Sequence, residues 1–437
     1  MSALTDSRHW LASALTDSQQ PITTPSVTQG LQERARTYLQ DAALPTAHEE
    51  DWRFMTLVPL LEHTYQTPAR AGHILLPDIS RFILPEAEGR RLTFVDGYFS
   101  PELSNLSELG SIVLRPLGTL NDTDGPRALG SIAPPESDTM TALATLFGRE
   151  GACLEVPPGV NEPRPIHLLF VSSGAREGVR IAPRIWISTG PRSKATVVQT
   201  YVATHETVQA VHAITEVAVG EESELTHIRV QSESRMGCHF ERCAANLGLR
   251  ARYTLRNITL GGRLSRFDVS IDGVETEMNA TLDGLALLAG DQEADTRSQL
   301  IHRKPHGQSR QSQRMILDGC SHAVFRGLIR VHPQAQQTDS AQSSRGLLLS
   351  SDSRIDTKPE LAIEADDVKC AHGAAIGQLD EEQLFYLRAR GISESDARAL
   401  LTFAFAAEVL ENIPIHSLRK QLQAVVLGRT QRAESKK

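Results

Sequence analysis

Residues 190–201 (GPRSKATVVQTY), 220–231 (GEESELTHIRVQ), 261–273 (GGRLSRFDVSIDG), 307–319 (GQSRQSQRMILDG) and 319–332 (GCSHAVFRGLIRVH) share one texture. A glycine opens a turn, and a short run of alternating character follows. Alternation places successive side chains on opposite faces of a strand. Each unit is too short to bury an apolar face alone, so the units must stack on one another. Their spacing is irregular, which excludes a strict hexapeptide helix and leaves a sandwich or a coiled parallel β-solenoid. Hairpin dipeptides are sparse, with Asp272-Gly273, Asp283-Gly284 and Asp318-Gly319 the exceptions. That scarcity favours the solenoid.

Outward from this core, the texture becomes helical on both sides. Upstream, SRHWLASAL and VTQGLQERARTYLQDAAL carry a helical pattern, stopped by Pro45, and DTMTALATLFGREG predicts one more helix. Downstream, Asp380 can cap EEQLFYLRAR, Gly391 suits the position after that helix, and Ser393 can cap ESDARALLTFAFAAEVLEN. Pro414 separates a last helix, HSLRKQLQAVVL. The expected organisation is a mixed helical region over 1–150, a mainly β core over 151–377 and a helical domain over 378–437. The apolar face from Leu400 to Leu410 is broad enough to pack on the β body or to dock a partner.

Composition excludes several classes. The chain has 437 residues, 40% hydrophobic and 22% charged, with a net charge of −8, so nothing signals attraction to nucleic-acid backbones. The N-terminus shows no basic start before an apolar run, and no apolar stretch of about 18 residues occurs. A cytosolic protein is the expectation. Five cysteines, an odd number and mostly far apart, make no disulfide framework. Cys238 and Cys243 have opposite strand parity.

No phosphate-binding loop, dinucleotide fingerprint, nucleophile elbow or His-Glu-x-x-His pair is present, so any energy input has to come from another subunit. His302 and His306 have four-residue spacing, but Pro305 opposes a helical metal face. Asp366 and Asp367 would face opposite sides of a strand, one of them capping or pairing with Lys369 or a nearby arginine. A stand-alone solenoid enzyme acting on polysaccharide would need grouped acidic residues and sugar-stacking aromatics, and aromatic residues are only 5%. The most informative site is EADDVKCAHGAAIG, residues 364–377. In a strand, Cys370 and His372 face one way, with Val368 beside them, presenting a thiol and an imidazole together. That is half a ligand set, because iron–sulfur or zinc sites need about four ligands.

The run KPELAIEADDVKCAHGAAIGQLDEEQLFYLRARGIS (358–393), continuing into ARALLTFAFAAEVL (397–410), resembles the SufB/SufD family of iron–sulfur cluster assembly scaffolds. EEDWRFMTL (49–57), LFGREGACLEVPPGVNEPRPIHLLFV (146–171) and APRIWISTGPRSKATVVQTY (182–201) are similar to family segments too. The DDVKCAHG form resembles the SufD side of the family, since Gly373 stands where SufB has a glutamate after its histidine. SufB also carries an assembly cysteine whose nearest counterpart lies around Ser344. The resemblance implies a right-handed parallel β-helix between helical ends, pairing with SufB through the β-helix and with the ATPase SufC through the C-terminal helices. It further implies a non-catalytic scaffold without bound nucleotide, a transient iron–sulfur cluster shared with SufB, and roles for His372 and Cys370 as ligand or interface residues. In isolation, a homodimer is possible.

Overall fold

The structure is a computed structural model describing residues 2–17, 26–121, 123 and 125–432; only the backbone is described for 2–6 and 430–432. Met1, residues 18–25, 122 and 124, and residues 433–437 therefore lie outside it. Helices α1 (Ser2–Asp17), α2 (Ser26–Asp41), α3 (Val58–Leu61) and α4 (Leu76–Ile79) open the chain. Strands β1 (Arg91–Val95), β2 (Tyr98–Phe99) and β3 (Val113–Pro116) precede α5 (Thr139–Phe147). Then come β4 (Gly151–Val156), β5 (Ile166–Ser172), β6 (Val179–Ile181), β7 (Arg184–Thr189), β8 (Lys194–Ala203), β9 (Gln209–Val219), β10 (Glu224–Ser232), β11 (Cys238–Leu247) and β12 (Arg252–Thr259). The series continues with β13 (Leu264–Gly273), β14 (Asn279–Leu288), β15 (Glu293–His302), β16 (Gln308–Leu317), β17 (His322–Val331), β18 (Thr338–Leu348), β19 (Arg354–Ile363) and β20 (Val368–Gly377). Helices α6 (Glu381–Ala389), α7 (Glu394–Leu410) and α8 (His416–Arg432) close it.

The strands deal alternately into two sheets, one ordered β2-β1-β5-β8-β10-β12-β14-β16-β18-β20 and the other β19-β17-β15-β13-β11-β9-β7-β4-β3, with β6 beside β9. All pairs are parallel except β1 with β2 and β3 with β4. Parallel neighbours that are not consecutive in sequence define a solenoid, and the sandwich alternative falls away. Asp283-Gly284 sits inside β14, while Asp318-Gly319 joins β16 to β17, which lie in different sheets. Neither dipeptide makes a hairpin.

Register stacks equivalent side chains in columns. Val197, His227, Leu255, Leu282, Gln311, Gln342 and His372 are successive partners, and so are Ala195, Leu225, Tyr253, Ala280, Ser309, Ser340 and Cys370. The sequence interval between column members varies, which explains why the repeat reads as irregular. Arg192, Glu222, Arg250, Glu277, His306 and Gln337 all take positive φ at the coil corners. Each corner N–H donates to a carbonyl of the next coil, from Arg192 N to Glu221 O (2.8 Å) through Gln337 N to Asp367 O (2.6 Å). Side chains rarely adopt this conformation, so the hydrogen bonds and the Glu222–Arg250–Glu277 ion pairs hold it in place.

Helices cover both outer faces. Leu11, Leu39 and Leu143 of α1, α2 and α5 pack on Ala210, Phe240 and Leu264. Ala406, Val409, Leu418 and Leu422 of α7 and α8 pack on Val198, Ile228, Ile258, Leu285 and Ile316. The caps form as their residues dictate: Asp380 accepts from Glu382 and Gln383, Ser393 from Asp396, and Gly391 adopts φ 86°. Gly148 ends α5, and Gly151 opens β4, where a Cβ would run into the Arg184 carbonyl. Among the described residues no helix is long and apolar enough to cross a membrane.

Candidate functional site

The solenoid ends without a cap. β19 and β20 are the last strands of their sheets, so each pairs on one side only and leaves a row of N–H and C=O groups along the other. In every earlier coil the inward-facing side chains are covered by the coil that follows. Ser340, Gln342 and Ser344 of β18 are buried, whereas their partners Cys370, His372 and Ala374 on β20 are half-buried or exposed. The parity read from the sequence is correct: Cys370 and His372 share the inward face with Val368. What the sequence could not show is that this face meets solvent, because burial depends on a next coil that is not found among the described residues.

Cys370 packs, with Val368 and Leu361, on the end of the apolar interior. Burial pushes its thiol above the ordinary range, a backbone hydrogen bond from Ser340 opposing and Asp339 adding to the rise. The metal-free thiol is therefore poorly nucleophilic, and ligation would have to displace a proton. Among the described residues no three or more His, Cys, Asp or Glu side chains are arranged to hold a metal ion. One thiol and one imidazole can contribute to a site completed by another chain.

Other sequence candidates separate. His302 points inward and hydrogen-bonds with Ser309 Oγ (2.9 Å), while His306 sits at a corner, so the two build no joint site. Cys238 and Cys243 face opposite sides of β11, as their parity requires. Asp366 and Asp367 lie in the bend before β20 rather than in a strand. The Asp367 N–H donates to Gln336 Oε1 (2.9 Å), and among the described residues neither aspartate forms an ion pair with Lys369 or an arginine.

Sequence reading missed a polar interior. Arg229, on the inward face of β10, donates from Nε to Glu241 of β11 and from Nη1 to Asn257 Oδ1 (2.7 Å). Glu241 also accepts from Gln199 (2.8 Å) and Thr215 (2.9 Å), and His239 lies between Glu233 (2.6 Å) and Glu241 (3.3 Å). Burial alone would raise the Glu241 carboxyl, but Arg229 and His239 overcome it and hold the group at about 2. Further along, Gln311 Nε2 donates to Ser298 Oγ (2.6 Å) and Gln342 Nε2 to Gln311 Oε1 (2.8 Å). The available signal was parity: polar residues at the inward positions of RQSQRM and SAQSS.

The chain is a parallel β-solenoid with helices on its outer faces and an uncovered last coil, and by comparison with known proteins its class is that of iron–sulfur cluster assembly subunits. The profile of the SUF system FeS cluster assembly SufBD core domain matches residues 170–405. An iron–sulfur cluster assembly SufBD family protein of Synechocystis is 34% identical over 410 residues, covering 91% of this chain and 90% of the relative. The iron–sulfur cluster assembly protein SufD of Escherichia coli is 30% identical over 403 residues, covering 92% and 91%. SufD of Bacillus subtilis is 27% identical over 289 residues, covering 66% of each. The chain belongs to the SufBD family of the SUF iron–sulfur cluster assembly system.

Proposed function

We propose that this chain is a non-catalytic scaffold of a SUF complex in the cytosol, with a nascent iron–sulfur cluster as its cargo. The carrying observation is the uncovered last coil, where inward-facing Cys370 and His372 stand beside free strand edges. In this reading SufB completes the coil stack, adding its own ligands to His372 and Cys370, and the cluster is shared and transient. An incomplete mixed site suits transfer, and imidazole ligation raises a cluster's potential relative to thiolate ligation alone. The chain divides functionally into residues 1–150, a β-helix core over 151–377 and a helical domain over 378–437; in isolation it pairs with a second copy.

The test is His372→Ala in the reconstituted complex with SufB and SufC, followed by the visible absorption of the assembled cluster. Cluster yield falls by about tenfold or more, as expected when a ligand is removed from a site with few; undiminished assembly removes His372 from the mechanism. Cys370→Ala is assayed separately with a thermal melt alongside, because a purely structural thiol lowers stability without blocking assembly.

The SufC contact belongs to α6 and α7, where Phe385 is 73%, Tyr386 54% and Leu400 47% exposed, with Leu384 beneath them buried. Exposed aromatics of this kind are interface anchors. Phe385→Ser with Tyr386→Ser weakens capture by immobilised SufC by roughly tenfold or more without altering the melt. Unchanged capture would move the contact elsewhere.

A further inference from the structure

We infer that Gln342 is a positioning residue for His372: the two side chains make no hydrogen bond in this structure, and a turn of the exposed imidazole lets the Gln342 side-chain carbonyl accept the N–H of one ring nitrogen, leaving the other nitrogen bare toward the cargo. The inference rests on the reading of His372 given above and extends it to a buried residue one coil away.

Gln342 is 3% exposed and stands in register with Gln311 on one side and His372 on the other. Its Nε2 is committed: it donates to Gln311 Oε1 (2.8 Å), and Gln311 in turn donates to Ser298 Oγ (2.6 Å). The chain of donors thus runs from β18 back toward β15 and has a fixed polarity. Because the amide is planar, committing Nε2 toward Gln311 turns Oε1 away from that coil. Gln342 Oε1 is buried and has no hydrogen-bond partner among the described residues. A buried carbonyl left without a donor is costly, so a donor delivered from the next coil is favoured.

His372 is the residue that the register sets over it. The amide cannot retreat sideways, because it lies across Gly327 of β17: a Cβ at Gly327 would come within 1.9 Å of Gln342 Nε2. Glycine at 327 and glutamine at 342 therefore go together, a flat amide lying against a bare backbone. An imidazole whose one N–H is held by a carbonyl keeps a single tautomer and is a stronger ligand at the other nitrogen.

The test reads the tautomer directly in the metal-free chain, so its outcome is independent of whether His372 meets iron. Histidine-selective ¹⁵N labelling and long-range proton–nitrogen correlation are carried out well above the usual histidine range. The His372 signal is assigned by its loss in His372→Gln, and an unstructured peptide of sequence VKCAHGAA serves as reference. The tautomer ratio in the wild-type chain differs from the peptide by roughly threefold to tenfold, the equilibrium equivalent of one net hydrogen bond. Gln342→Leu returns the ratio to the peptide value, Gly327→Ala does the same by displacing the amide, and Gln342→Glu, which keeps an acceptor oxygen, retains the bias. A wild-type ratio equal to that of the peptide overturns the inference even if no variant folds, and so does a bias that survives in Gln342→Leu.

Discussion

Arg229→Leu destabilises the protein by about 3–5 kcal/mol, the usual loss when one partner of a buried ion pair is removed. Arg229 and Glu241 are both fully enclosed, on opposite sheets of the solenoid. Removing the guanidinium leaves the Glu241 carboxylate with only Gln199, Thr215 and His239 to compensate it, and strips Asn257 Oδ1 of its donor. The cation also lies over the Phe267 ring at 4.5 Å, so packing is lost with charge. Adding Glu241→Gln to Arg229→Leu recovers part of the loss, because the orphaned charge is gone. Urea unfolding of the three proteins decides it: a loss below about 1 kcal/mol for Arg229→Leu, or no recovery in the double variant, contradicts the network described here.

Acid weakens the fold well above the carboxylate range. Burial pushes His167 and His212 down to about 3 and His227 and His302 down to about 4, from an ordinary 6.5. Between 6.5 and those values the unfolded chain binds protons that the native chain refuses, so stability falls as pH falls, by about 1.4 kcal/mol per pH unit for each histidine. His239 works in the opposite sense. Burial lowers it, but Glu233 and Glu241 raise it beyond 6.5, so its contribution is present below 6.5 and is lost as pH rises through the raised value. Glu241, held at about 2, contributes from its ordinary 4.5 upward and fails only in stronger acid. The expected profile has a maximum between 6.5 and the raised His239 value, and a steep acid limb below 6.5. His227→Gln and His302→Gln each flatten that limb by about 1.4 kcal/mol per pH unit. Urea midpoints recorded from pH 4.5 to 7 measure the slope, and a flat profile would mean that these imidazoles are hydrated rather than buried.

The helical ends were legible because their signals are local: Asp380, Gly391 and Ser393 declare caps within a few residues. The mainly β core was legible through alternation, and so was the shared face of Cys370 and His372, since strand parity needs no tertiary information. The polar interior was not. Arg229 meets Glu241 across the width of a coil, and Gln311 meets Gln342 across its height, so neither pairing leaves a mark in a sequence window. Asp283-Gly284 misleads for a related reason. Gly284 is in the middle of a strand because the Gln313 side chain occupies the space a Cβ would take, a demand set one coil away.

The uncovered rim has a cost for the chain that carries it. Beyond Lys369, the outward positions of β20 are Ala371, Gly373, Ala375 and Gly377, too small to shield the backbone between them. Any extended peptide that arrives in register finds a ready template, including the rim of a second molecule. An edge left open in this way favours edge-to-edge association until something covers it.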